Sequence, residues 1–130
     1  MTGGAAVHPE RGRAYTREEI ARMVGGGSEQ NYMPNKDGRI LCLCLTQEYN
    51  PQGPQVVLVG TGPSVEHEAE LFCAQKTPVP VFFKQKAHVW EYVGNYACGR
   101  WTDDPEEICA YEESSGRRNL KKVIFMERGE

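Results

Sequence analysis

Apolar positions change their period several times along this chain, and each change marks an element. Ile20, Met23 and Val24 recur at helical spacing. Just before them, Thr16-Arg17-Glu18-Glu19 fits a capping box, in which the Thr hydroxyl and the second Glu carboxylate satisfy orphan amides. Gly25-Gly26-Gly27 ends that helix. Residues 39–46 read as a strand, with Ile40, Cys42, Cys44 and Thr46 on one face and Leu41, Leu43 and Leu45 on the other. Both faces are largely apolar, which puts the strand inside a sheet. Residues 56–59 form a second buried strand, and the turn from Gly60 to Ser64 leads into a helix capped by Ser64. Its apolar positions are Val65, Ala69, Phe72 and Cys73.

The second half of the chain alternates again. Residues 79–83 predict a strand, with Pro78 and Pro80 favouring an edge or a bulge at its start. Residues 84–88 form a basic turn. A long, interrupted strand then runs from Val89 to about Trp101. Period two places Trp90, Tyr92, Gly94 and Tyr96 on one face, and Gly94 marks a bulge or bend. Asp104 at N-cap, Pro105 at N1 and Glu107 at N3 open a third helix, docked by Ile108 and Tyr111 and closed by Gly116. Residues 120–127 make the last strand. The order α-β-β-α-β-β-α-β lacks the βαβ alternation of a doubly wound fold. It predicts the α+β class: a curved mixed sheet or small β-barrel with about three short flanking helices.

Composition narrows this picture. At 130 residues the chain suits one domain, and its 39% apolar content gives a modest core. Residues 1–14 are rich in Gly, Ala and Arg without periodicity and read as a disordered leader, leaving 15–130 as the domain. No apolar run approaches a membrane span, and the N-terminus has no signal-type apolar region, so a cytoplasmic placement is expected. The formal charge of −3 does not announce a nucleic-acid binder. Charge is segregated, however, with basic clusters at 84–86 and 117–122. The cysteines, five in number, have no Cys-x-x-Cys pair, and the histidines are scattered, so they read as free thiols and not as a metal or disulfide framework.

Catalytic patterns are weak. Gly60-x-Gly62 lacks both the third glycine of a dinucleotide fingerprint and the Lys of a P-loop, and a plain strand-to-helix turn explains it. Asp103, Asp104, Glu106 and Glu107 suit helix capping. Neither an enzyme nor a cofactor is called for. The aromatics are more informative. Trp90, Tyr92 and Tyr96 alternate on one strand, and Tyr32 sits in a Gly-rich loop with Ser28, Gln30 and Asn31. Alternating aromatics are more often core than platform. Yet stacking faces beside polar edge groups are also what an extruded base requires. Lys84, Lys86 and His88 lie just before Trp90, where they can meet phosphates or form a solvated hairpin tip; Arg39 is a further phosphate candidate.

Taken together, Gly26-Gly27-Ser28-x-Gln30-x-Tyr32-x-Pro34, Asn50-Pro51, Val57-Leu58-Val59-Gly60-x-Gly62-Pro63, Pro78-x-Pro80-Val81-Phe82-x-Lys84 and Trp90-Glu91-Tyr92-x-Gly94-x-Tyr96 form a recognisable pattern. It resembles the N-terminal recognition domain of McrA-type, modification-dependent restriction endonucleases and, more distantly, the SRA/PUA-like base readers. The resemblance implies a bacterial reader of 5-methylcytosine or 5-hydroxymethylcytosine in double-stranded DNA, with a fused or associated HNH nuclease. It also implies a base pocket walled by Tyr32 and Trp90, with Gln30 and Asn31 reading an edge and Ser28 and Tyr92 beside them. On this reading Trp90→Ala weakens binding and leaves the fold mostly intact. A PUA-like RNA-binding module and a protein-interaction adaptor are the alternatives from other classes.

Overall fold

The computed structural model describes residues 8–129. Its elements follow the chain as β1 (Ala14–Tyr15), α1 (Arg17–Val24), β2 (Asn35–Lys36), β3 (Arg39–Ile40), β4 (Leu43–Leu45), β5 (Val56–Val59), α2 (Pro63–Gln75), β6 (Val79–Lys86), β7 (Val89–Thr102), α3 (Pro105–Ser115) and β8 (Lys122–Gly129). The capping box holds: Glu19 N–H donates to Thr16 Oγ1 at 3.1 Å, and Thr16 N–H donates to Glu19 Oε1 at 2.9 Å. Gly25 closes α1 in the left-handed region. Asp104 caps α3 through its carboxylate, and Gly116 ends it. All four are local devices, in which neighbouring residues satisfy the free backbone groups of a helix end.

Strands β4-β6-β7-β8-β5 form one mixed sheet in that order, and β1 pairs with β7. The β4–β6 pair is parallel; the others are antiparallel. A separate ribbon joins β2 and β3. Alternate residues of each strand feed opposite faces. On one face, Ala69, Phe72 and Cys73 of α2 pack against Leu43, Leu45, Val57, Val59, Val81 and Ile124. The other face carries two smaller clusters. One joins Ile20 of α1 to Cys42, Cys44, Phe82 and Trp90. The other joins Ile108 and Tyr111 of α3 to Leu58, Leu120 and Val123. The predicted α+β class with a curved mixed sheet and three helices is therefore the fold. Among the described residues the sheet does not close, because β4 and β5 remain its two edges. No helix among those residues is long and apolar enough to cross a membrane.

Several sequence expectations change in detail. The expected strand 39–46 breaks into β3 and β4, and the break brings Ile40 to the same core as Leu43 and Leu45. Ser64 is not the cap of α2. Gly62 holds that position, and its N–H donates to Glu66 Oε2 at 3.0 Å. Strand β6 runs on to Lys86, which leaves only Ala87 and His88 in the turn. Most consequential is the bulge in β7. Val81 pairs with Gly94, but Phe82 pairs with Tyr92, so Val93 is an extra residue. One added residue reverses the side-chain parity. Trp90 and Tyr92 stay on the α1 face, while Tyr96 and Cys98 turn into the α2 core. Of the expected leader, residues 1–7 lie outside the described residues. Further along, Gly12 N–H donates to Tyr92 O at 3.0 Å and Ala14 pairs with Glu91, so strand pairing starts before residue 15.

Candidate functional site

The sheet's two edges curve toward a common cleft of about 370 Å³. Cys44 of β4 lies on one side and Leu58 of β5 on the other, and loops supply the rest. That volume is at the lower end for small-molecule sites and suits a compact planar group. The cleft has aromatic walls: Tyr32, Tyr49 and Trp90. Tyr49 is 55% exposed and marks the mouth. Trp90 is only 7% exposed and belongs also to the α1-side core. The Arg17 guanidinium lies over its ring at 5.0 Å, and the Lys84 ammonium at 5.6 Å.

Each polar group around the cleft has a traceable anchor. Tyr32 donates its hydroxyl to Val65 O at 2.8 Å. Burial, helped by the Glu68 carboxylate, pushes the Tyr32 phenol well above its ordinary pKa, so it stays neutral. Asn31 turns its amide away from the cleft, donating to Glu68 Oε2 at 2.7 Å; Asn35 donates to the same oxygen at 3.1 Å. Glu68 is 7% exposed, and this desolvation raises its pKa although Asn35 and His67 act the other way. The Arg17 guanidinium donates to Asn31 O at 2.7 Å and Ser28 O at 3.1 Å, which fixes the loop between α1 and β2. Asn50, nearly fully buried, accepts Leu58 N–H at 2.9 Å. Arg117 Nη1 donates to Tyr49 O and to Leu58 O, both at 3.0 Å, and its guanidinium covers the Tyr49 ring at 5.3 Å. Gly60 makes room for it, since a Cβ there would stand 2.8 Å from Arg117 Nη2.

The family model described as "Domain of unknown function (DUF6697)" matches residues 14–122. The chain belongs to this family. No curated protein matches the DUF6697 chain significantly. Solved structures are similar to it. The SUVH5 SRA domain in complex with hemi-methylated CG DNA matches over 97% of this chain and 92% of that one, with a TM-score of 0.62 and 18% identity. The same SRA domain with methylated CHH DNA gives 0.60 and 14% over the same shares. KRYPTONITE in complex with mCHG DNA and SAH gives 0.60 and 10%, covering 94% of this chain and 32% of that one. At these identities the likeness is one of fold: the DUF6697 sheet is SRA-like.

Of the residues expected to form the site, Gln30, Asn31, Tyr32 and Trp90 line the cleft of the DUF6697 domain. Ser28 lies outside the cleft lining; its carbonyl accepts from Arg17 and its hydroxyl accepts the Gln30 N–H at 3.1 Å. Tyr92 lies outside the cleft lining; its ring contacts Phe82 at 5.6 Å and its hydroxyl donates to Asn95 at 2.7 Å. Lys84, Lys86 and His88 lie along the β6–β7 hairpin, with the Lys84 ammonium over the Trp90 ring. Arg39 sits in the β2–β3 ribbon opposite Lys36, and the cleft lining does not include it. Among the lining residues that the sequence reading missed are Arg17, Thr46, Tyr49, Asn50, Thr61 and Arg117. Asn50-Pro51 was legible as part of the motif pattern and Arg117 as part of a basic cluster, but nothing local joined them.

Proposed function

We propose that this domain reads duplex DNA carrying a C5-modified cytosine, taking the base into the cleft between the sheet edges. One observation carries the reading: an aromatic-walled cleft of nucleobase scale lies at the seam of an SRA-like sheet, the fold of domains solved in complexes with methylated DNA. Tyr32 and Trp90 supply apolar walls, Tyr49 stands at the mouth, and the Gln30 side chain makes no hydrogen bond among the described residues that would keep it from a base edge. Stacking plus edge contacts is how an extruded base is held. Lys84, Lys86 and His88 on the nearby hairpin serve the phosphates. Asn31 acts indirectly here, setting the loop through Glu68. The further step to a bacterial restriction system with an HNH nuclease rests on the motif resemblance alone.

A panel of one duplex with cytosine, 5-methylcytosine or 5-hydroxymethylcytosine at a single position tests the reading, with a matched RNA duplex as the fourth arm. At least one modified duplex is expected to bind roughly tenfold or more tighter than the unmodified one, a difference of about 1.4 kcal/mol. Equal affinity for every DNA arm, or tighter binding to RNA, would sink it.

A further inference from the structure

The cleft's charge is at odds with the molecule's. The chain carries a net −3, yet the cleft lining contains two arginines, Arg17 and Arg117, and no Asp or Glu. The ion pairs among the described residues are Arg13–Glu10, Arg22–Glu18 and Arg100–Glu107, and none involves a cleft arginine. Both guanidiniums are held in place by backbone carbonyls: Arg17 by Ser28 and Asn31, Arg117 by Tyr49 and Leu58. Those bonds employ Nη2 of Arg17 and Nη1 of Arg117. The opposite nitrogen of each fork makes no hydrogen bond within the described protein. Burial already lowers the Arg117 pKa from its usual value, which is the response of a cation short of an anionic partner.

A neutral methyl group leaves such a pair of cations unmatched. A carboxylate does not, because the free guanidinium nitrogens can donate charge-assisted bonds to its oxygens. We infer that the modified base this cleft prefers is anionic: a cytosine bearing a carboxylate at C5, with Arg117 and Arg17 as the residues that recognise the charge. This rests on the reader function above and names the chemical class of its ligand. The aromatic walls accept the ring in either case. The arginines distinguish the substituent, and a carboxyl group is ionised at neutral pH. Backbone phosphates are the other source of oxyanion chemistry in DNA, and they are common to every duplex whatever its base.

The test adds 5-carboxylcytosine to a panel of otherwise identical duplexes with cytosine, 5-methylcytosine and 5-hydroxymethylcytosine, measured by fluorescence anisotropy on the full chain. The carboxylated duplex is expected to bind roughly tenfold or more tighter than the methylated one. Arg117→Gln is expected to collapse that advantage to about threefold or less, read as the ratio of the two affinities measured on the same variant. Arg17→Gln is the second variant, in case loss of the Leu58 contact unfolds the first. If 5-methylcytosine binds as tightly as 5-carboxylcytosine, the inference is overturned and the reader function stands. If both variants weaken all four duplexes alike, the arginines serve phosphates and the inference is overturned. Four equal affinities overturn it together with the reader function.

Discussion

Trp90 shows how one residue can belong to two structures. Its ring closes the cleft, but it also fills the cluster of Ile20, Cys42, Cys44 and Phe82, and only 7% of it is exposed. The sequence expectation that Trp90→Ala leaves the fold mostly intact therefore changes. Truncating a buried Trp costs about 3–5 kcal/mol, a large share of a total stability of about 5–15 kcal/mol. Chemical denaturation of Trp90→Ala should show a loss in that range. A loss under about 1 kcal/mol would mean that the ring is a pocket wall with no part in the core. Trp90→Phe, which keeps most of the apolar volume, separates binding from folding. At this scale the sequence was legible where a side chain's chemistry was unusual for its setting. Gln30, Asn31 and Tyr32 stood out as polar and aromatic groups beside glycines. Arg117 and Asn50 did not, because their role is to bond the carbonyl and the N–H of Leu58, and that meeting exists only in three dimensions.

Elements were legible to the extent that their signals were local. Helices α1 and α3 are bounded by caps written within a few residues, and they sit where those caps put them. Strand β7 was found, but its faces were not. Period two runs unbroken through Trp90, Tyr92, Gly94 and Tyr96, whereas the partner strand sees a bulge at Val93. Gly94 permits that bulge with φ at 125°, a backbone conformation that side-chain-bearing residues rarely adopt. Its surroundings are ordinary, with Tyr96 Cε1 at 3.5 Å from a built Cβ, so the strain of Gly94→Ala is conformational. That substitution should cost about 1–3 kcal/mol, read as a lower denaturation midpoint with an unchanged slope. A neutral Gly94→Ala would mean that the bulge tolerates other backbone angles. The residues on either side explain why the cost matters: without the bulge, Tyr96 would leave the α2 core and Trp90 could not face α1 while Tyr96 fills the opposite side.

Across the whole molecule, the proposed DNA reading requires a negative chain to act through a few placed cations and not through its overall field. Affinity should therefore fall with salt, but with a small number of phosphate contacts. Each contact contributes about 0.9 to the slope of log affinity against log salt on duplex DNA. Lys84→Gln and Lys86→Gln should each reduce the slope by about 1 and weaken all duplexes alike, leaving the preference among bases in place. A slope unaffected by both changes would move the phosphate track away from the β6–β7 hairpin. The α+β class and the curved sheet were readable from element order. The cleft was not, since it draws on residues from Arg17 to Arg117 and forms only when the two ends of the sheet approach.

The open seam has one more consequence. An unclosed sheet presents rows of free amides and carbonyls, the template on which neighbouring chains add strands and polymerise. Here the cleft residues occupy those groups. Asn50 takes the Leu58 N–H, Arg117 takes the Leu58 carbonyl, and Tyr32 O accepts the Cys44 N–H at 2.8 Å. The residues that shape the pocket are thus also the guards of the sheet's borders. Evolution of a new ligand preference at Asn50 or Arg117 would be constrained by solubility as much as by recognition, because a variant that frees the Leu58 backbone offers other molecules a place to dock.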